Sequence, residues 1–538
     1  MSKLKILFPD NLHFHKKNFK SLLDYIEKNK LECIMMAEYN EIKALYGNYT
    51  NYKSLFLNHY DQLISLDKEE LFELKRLGAN VFNLAKAELL SYLMSKENWF
   101  NCHISSDKQA IFNKAYSENK EELILNMAAT LFWLDFWHRR MGFKSYKNIN
   151  ISIMFSGSLI YVKTLSYLLQ NTPVRVFIVE HFFTGNDYYF EEKYEHIANN
   201  SDVKYNNFYQ NLKRTFFEEY DVDKEKIKAL NKINSSNNKN VKQPSGNNEI
   251  NFYDESKKNV LILGQVVNDF SILETNLDNI NSLDIYKTMI LKVLKETSYN
   301  IIFKAHPWER NKTNLKRSIT KDELTNYILG NLSEEHRKRI VIVEDFNIKE
   351  LFKISNYIVG ICSQSLLEAA YAGKKPHQIG KSFFGNKGFT YDHDSIENFI
   401  DIIKLKPKEK LCIDEYQNLL EFFAVVLQKH LVSIHQSGEK SIREKLSAIH
   451  NIKLIPQKMN SFLIPSLKKE ETKELVLSDN RTSYNEIKDA SFMKVFVENI
   501  VMTFASEKKI KKFKENPKRF FADTDHTFVK FLGQLYDK

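Results

Sequence analysis

Residues 357–390 read YIVGICSQSLLEAAYAGKKPHQIGKSFFGNKGFT. An apolar run, Tyr357–Gly360, stops at the small polar residues Ser363, Gln364 and Ser365. A helix-like stretch follows, then a Gly373-Lys374-Lys375-Pro376 turn, a short apolar patch and a second glycine-bearing loop. A buried strand that ends in small residues and runs into a helix is the repeating unit of a parallel sheet. Ligands of such sheets lie at the C-terminal ends of the strands. Free backbone N–H groups and the helix dipole favour phosphates there. The residues just after each strand are therefore the candidates for chemistry.

Further runs of this kind are Lys3–Phe8, Glu32–Met36, Ile151–Phe155 and Val174–Val179 in the first half. Val260–Leu263, Asn300–Phe303 and Ile340–Val343 follow in the second. Alternation with longer helical patterns predicts an α/β protein with two Rossmann-like domains facing a cleft. A length of 538 residues suits two domains and an extension. Residues 231–258 are rich in Asn, Ser and Lys and nearly devoid of apolar residues, which reads as a linker or insertion. The expected division is 1–230, 231–258 (linker or insertion), 259–435 and 436–538, a helical basic extension.

The formal net charge of +10 is mild for this length and suggests acidic ligands or an anionic surface. Four cysteines without CxxC spacing argue against a disulfide framework or zinc site and fit a cytoplasmic compartment. The start MSKLKILFPDNLHFH turns polar too soon for a signal peptide and reads as a first strand. No window reaches 18 apolar residues; NMAATLFWLDFWHRR is broken by Asp135. Walker A, GxGxxG, GxSxG and HExxH patterns are absent from the sequence, which gives no support for an NTPase, dehydrogenase, serine hydrolase or zincin.

Five stretches carry candidate chemistry. In IIFKAHPWER a strand runs into Lys304, His306, Pro307 and Arg310. Pro307 ends the strand and fixes His306 at its exit, with Lys304 and Arg310 adding charge for a phosphate. Ser363, Gln364 and Ser365 can cap the next helix or bond a phosphate, and these uses are compatible. Glu368, one turn on, is a capping-box partner or a ribose acceptor. Asp269 follows the Val260–Leu263 strand and reads as a turn residue or a carboxylate facing the cleft. Glu180 leaves the Val174–Val179 strand, where partial burial would raise its pKa toward a general acid/base range. Finally Lys508, Lys509, Lys511, Lys512, Lys514, Lys518 and Arg519 interleave with Ile510, Phe513, Phe520 and Phe521 behind an apolar stretch, 492–504. That pattern suits an anionic membrane surface, a partner or plain solvation. A nucleic-acid partner is not expected, because no binding module accompanies the terminal basic cluster.

Four motifs in order resemble the bacterial capsule polysaccharide biosynthesis family, which includes retaining β-Kdo transferases. They are Gln265…Asp269-x-Ser271, Lys304-x-His306-Pro307, Ser363-Gln364-x-x-x-Glu368 and Gly373-Lys374…Gly380…Phe384…Gly388-x-Thr390. The resemblance spans about residues 175–392. KKFKENPKRFFAD also looks like an ending found on capsule and lipopolysaccharide glycosyltransferases. The resemblance implies a GT-B-like fold and transfer of an acidic sugar, Kdo, from a CMP-sugar to a glycan or glycolipid acceptor. Asp269 would be the nucleophile and Glu180 the acid/base. His306 with Ser363–Ser365 would hold the CMP phosphate, and Glu368 the ribose or its loop. No metal or other cofactor is expected, and the location would be the inner face of the cell membrane. Sialyltransferases, teichoic-acid glycerophosphotransferases and a non-catalytic capsule scaffold are the alternatives.

Overall fold

The computed structural model describes residues 4–235, 250, 254, 256–311, 317–447, 513 and 516–522. The expected strands form at Lys5–Phe8 (β1), Glu32–Met35 (β2), Ile151–Phe155 (β5), Arg175–His181 (β6), Asn259–Leu263 (β8), Asn300–Lys304 (β9), Ile340–Val343 (β10) and Tyr357–Gly360 (β11). Between β2 and β5 lies a small hairpin, Lys75–Arg76 (β3) and Ala79–Asn80 (β4). Beyond the expected set are the six-residue Asp187–Glu192 (β7) and the two-residue His377–Gln378 (β12), Tyr391–Asp392 (β13) and Val432–Ser433 (β14).

The first sheet has the order β14-β7-β6-β5-β1-β2. Its strands are parallel from β2 to β6, β7 runs antiparallel to β6, and β14 runs antiparallel to β7. The second, β10-β9-β8-β11-β12-β13, is parallel throughout. Counted along the chain, that is the doubly wound order 3-2-1-4-5-6, whose crevice opens between its first and fourth strands, β8 and β11. The buried Ile, Val and Leu runs explain the parallel pairing, since a strand covered on both faces can be apolar throughout.

Three features go beyond the sequence pattern. Residues 40–146, between β2 and β5, form a mostly helical insertion. Its longest helix, Lys120–Met141, is buried along most of its length, and Asp135 accepts from Arg76 Nε at 2.9 Å. The chain also returns to the first sheet near its end: β14 pairs with β7, and Ile442 and Leu446 of helix Gly438–Ser447 pack with Phe14, Phe19 and Leu22. The expected break at 435 thus falls inside material that covers the edge of the first sheet, because an uncovered β7 would expose its ladder groups. At the expected linker, residues up to Asn234 complete helix Val222–Asn234, and 236–249 lie outside the described residues. A second compact unit, Thr472–Lys538, is described at Phe513 and residues 516–522, where Pro517–Ala522 is helical. The apolar stretch 492–504 and Lys508–Lys512 and Lys514 of the basic cluster lie outside the described residues.

Buried polar groups tie the two sheets together. Asn281 Nδ2 donates to the carbonyls of Phe100 (2.9 Å) and Cys102 (2.6 Å) in the helical insertion. Asn268 Nδ2 donates to Ser91 O at 3.1 Å, and Glu274 pairs with Lys163 and with His196. Buried polar groups must be matched in this way to avoid a desolvation penalty.

Candidate functional site

A cavity of about 360 Å³ opens where the C-terminal ends of both sheets converge. From the second sheet it is lined by the exits of β8 (Gly264, Gln265, Asp269, Ser271), β9 (Lys304, His306, Pro307) and β11 (Cys362–Ser365, Glu368). From the first come Glu180 and His181 of β6, with Asn199. Every sequence-derived site residue except Arg310 therefore meets in one place. The reversal of strand order between β8 and β11 brings two of these exits side by side. Gly264 is required there: a Cβ would come within 2.9 Å of Lys304 O, the acceptor of its own N–H.

Asp269 N-caps the short helix Phe270–Leu273, its Oδ1 accepting Ser271 N–H at 2.9 Å. The turn-residue reading thus holds together with the cleft-facing one. Gln265 orients the other oxygen. Its Nε2 reaches Asp269 Oδ2 (3.2 Å) and Ser271 Oγ (3.1 Å), while its Oε1 accepts Cys362 N–H (2.9 Å). One amide thereby locks the β8 exit to the β11 exit. Burial, with the Asp269 charge, pushes the Cys362 thiol up to about 12, so it stays protonated. Sequence reasoning missed Glu309, which fixes this loop from the β9 side. Its Oε1 accepts Val267 N–H (2.8 Å) and Thr320 Oγ1–H (2.9 Å), and its Oε2 accepts Thr320 N–H (2.8 Å). The signal was a Glu two residues past His-Pro, within a motif otherwise read for its basic groups.

Glu180 lies within β6, opposite Tyr189. Burial pushes its carboxyl up to about 7; the His181 backbone N–H (2.9 Å) opposes this, and the Asp269 charge adds to it. A group that exchanges a proton near neutrality, beside a second carboxylate, is the arrangement acid/base chemistry needs.

His306 Nδ1 accepts the Trp308 backbone N–H at 3.2 Å, which leaves the proton of the neutral ring on Nε2. The two cations flanking it behave differently from expectation. Lys304 turns its amine to the carbonyls of Ala305 (3.0 Å) and Glu344 (2.6 Å), and burial lowers it to about 8. It braces the loop that carries His306. Arg310 lies outside the cavity, half exposed and paired with Asp345 at 3.0 Å. The residues after β10 hold both cations, Lys304 through the Glu344 carbonyl and Arg310 through the Asp345 carboxylate, tertiary contacts that local sequence does not show.

The triplet after β11 divides its work. Ser363 Oγ accepts Ser365 N–H at 3.3 Å just ahead of helix Ser365–Tyr371, but the N-cap position is Gln364 and its side chain makes no capping bond, so the expected serine cap with Glu368 as capping-box partner does not form. Gln364 Oε1 instead accepts Phe183 N–H (3.0 Å) across the cleft. Burial raises the Glu368 carboxyl, while Lys349 and a Ser365 bond pull it down. On the far wall Asn199, in the left-handed region at φ +49°, accepts Phe383 N–H at 2.9 Å and so holds the loop after β12. No pattern in IANNS marked it. Among the described residues, no group of three or more His, Cys, Asp and Glu side chains is placed to hold a metal.

Residues 187–426 match the family described as capsule polysaccharide biosynthesis protein, and the resemblance read from the motifs holds over that stretch. A comparison with curated proteins returns no match. Among solved structures the chain is similar to two described as Thermosulfurimonas dismutans KpsC. The β-Kdo 2,4 transferase is 16% identical with a TM-score of 0.36, covering 53% of this chain and 82% of that one. The β-Kdo 2,7 transferase is 16% identical with a TM-score of 0.33, covering 59% and 88%. A Methanocaldococcus jannaschii UDP-GlcNAc 2-epimerase is 12% identical with a TM-score of 0.30, covering 83% and 99%.

Proposed function

We propose that this chain, with its capsule-family stretch at 187–426, is a retaining glycosyltransferase of surface polysaccharide synthesis that moves an acidic sugar, Kdo, from CMP-Kdo to a glycan acceptor. The observation that carries the reading is a pair of carboxylates, Glu180 and Asp269, facing one cavity from different sheets. The family resemblance of the flanking motifs supplies the donor.

A carboxylate oxygen of Asp269 attacks the anomeric carbon; the bond to the phosphate oxygen breaks, and CMP leaves with the electron pair. The Nε2–H of His306 and the hydroxyls of the Ser363–Ser365 loop meet the charge on the leaving phosphate, so the step needs no metal. Glu180 then takes the proton of an acceptor hydroxyl, whose oxygen attacks the same carbon and displaces Asp269. Two inversions return the starting configuration.

Calorimetry with CMP tests the donor side. His306→Ala should weaken CMP about tenfold, whereas Arg310→Ala should change it less than about twofold, as expected for an exposed ion pair. Loss of affinity in Arg310→Ala with none in His306→Ala overturns this assignment, and an inverted product anomer removes the nucleophile role of Asp269.

The basic tail would hold the chain at an anionic membrane, the role suggested by Lys508–Arg519 with its interleaved Ile510 and Phe513. No described helix is long and apolar enough to cross a membrane. Deleting residues 508–521 should release the protein from anionic vesicles in co-sedimentation. Unchanged binding sinks the tail's role.

A further inference from the structure

Ten residues other than glycine take a left-handed backbone among the described residues, and two of them are buried: Asn199, which lines the cavity, and Ser156, at the exit of β5. A left-handed serine (φ +61°) strains its backbone, and such strain persists only where the surroundings fix it. Three backbone hydrogen bonds fix this one. Ser156 N–H donates to Val179 O at 2.9 Å, Gly157 N–H to Phe155 O at 2.7 Å, and Ile197 N–H to Ser156 O at 3.0 Å. Gly157, left-handed at φ +81°, lies so close to the chain that a Cβ would come within 2.8 Å of His196 Cα.

This turn places Ser156 beside Glu180. β5 and β6 run parallel with Phe155 opposite Val179, so Ser156 and Glu180 are the next residues along the two strands. Burial lifts the Glu180 carboxyl to about 7; the His181 backbone N–H, the His13 charge and the Ser156 hydroxyl work against it, and the Asp269 charge adds to it. The remaining titratable neighbours are uncharged near neutrality. Burial, then the Glu180 charge, pushes the Tyr46 phenol of the helical insertion up to about 12. Burial, then Glu191 and Glu180, push Tyr189, opposite Glu180 on β7, well above its ordinary value. Burial, then the charges of His13, Lys17 and His15, lower the His181 imidazole to about 4. A serine hydroxyl does not titrate in this range, so its effect is fixed: as a donor it favours the ionised carboxyl.

We propose that Ser156 is a positioning residue for Glu180: the strained turn aims its hydroxyl at that carboxyl and readies it to take a proton. The use of this in transfer rests on the reading of Glu180 as the base; the hold of Ser156 on Glu180 does not.

The dependence of transfer on pH tests it. In Ser156→Ala and Ser156→Gly alike the midpoint near 7 should move up by about one unit. Transfer then falls about fivefold at pH 7 and returns to within about twofold of the wild type at pH 9. Glycine takes the left-handed turn without strain, so Ser156→Gly should melt above Ser156→Ala. A purely structural serine would give that order of melting temperatures with the midpoint unmoved, and an unmoved midpoint overturns the proposal. A second measurement needs no substrate. Below about 7 the folded carboxyl holds its proton, so there is no bond to a charged group to lose. Ser156→Ala should therefore lower the melting temperature more at pH 9 than at pH 5, and equally at both in a Glu180→Gln background. Equal losses at both pH values with Glu180 present also overturn the proposal. A pH-dependent loss with no sugar transferred from CMP-Kdo leaves the hold on Glu180 standing and removes the transfer reading. Transfer with an unmoved midpoint does the reverse.

Discussion

Asp269→Asn should lower transfer at least about a thousandfold while leaving the fold and CMP affinity in place. Asn is as good a helix cap as Asp, and its Oδ1 can still accept the Ser271 N–H. What the variant loses is the charged oxygen that Gln265 aims, so the defect falls on the first step. CMP release with CMP-Kdo, measured in single turnover, is the direct check. A variant that keeps a tenth of wild-type release would require a different nucleophile.

Glu180→Gln should also stop transfer, but at the second step and with the opposite effect on stability. Without a base the acceptor hydroxyl keeps its proton, so sugar accumulates on Asp269. Intact-mass measurement after incubation with donor should show the protein heavier by one sugar residue. In the wild type, transfer should rise with pH as Glu180 loses its proton through about 7. The stability sign follows from the same shift. The folded carboxyl titrates near 7 against an ordinary value of 4.5, so between these values the folded state holds the proton that the unfolded chain has released. Glu180 therefore costs stability increasingly as pH rises through that window, on the order of 2 kcal/mol once part solvation is allowed for. Glu180→Gln removes the cost. Its melting temperature should exceed the wild type's at pH 8 and converge with it near pH 4; a lower value at pH 8 would falsify the buried, proton-holding state of Glu180.

The eight expected strands were legible because each is a compact apolar run, most of them buried on both faces of a parallel sheet, whereas the six-residue β7, DYYFEE, begins and ends in acidic residues and was not. The strand exits were legible for the same reason, and with them Asp269, His306, Ser363–Ser365 and Glu368. β14 was not, since two residues, Val432 and Ser433, carry no alternation to read. The helical insertion showed its apolar stretch but not its place against Asn268 and Asn281. Lys304 and Arg310 read as phosphate ligands because their local sequence is basic. Their partners, Glu344 and Asp345, come from the next strand's exit and appear only in three dimensions. Glu309 and Asn199 act on backbone N–H groups far along the chain, and a residue's type and spacing say nothing about such reach.

The buried ties between the sheets bear on how this protein could be taken apart or recombined. Cutting out residues 259–435 would leave the amide of Asn281, the amide of Asn268 and the carboxylate of Glu274 without Cys102, Ser91 and Lys163. It would also strip Phe183 from Gln364 and leave β7 without β14. Residues 259–435 are therefore not a portable module. A chimera that exchanges them must carry the helical insertion along or redesign each of these contacts.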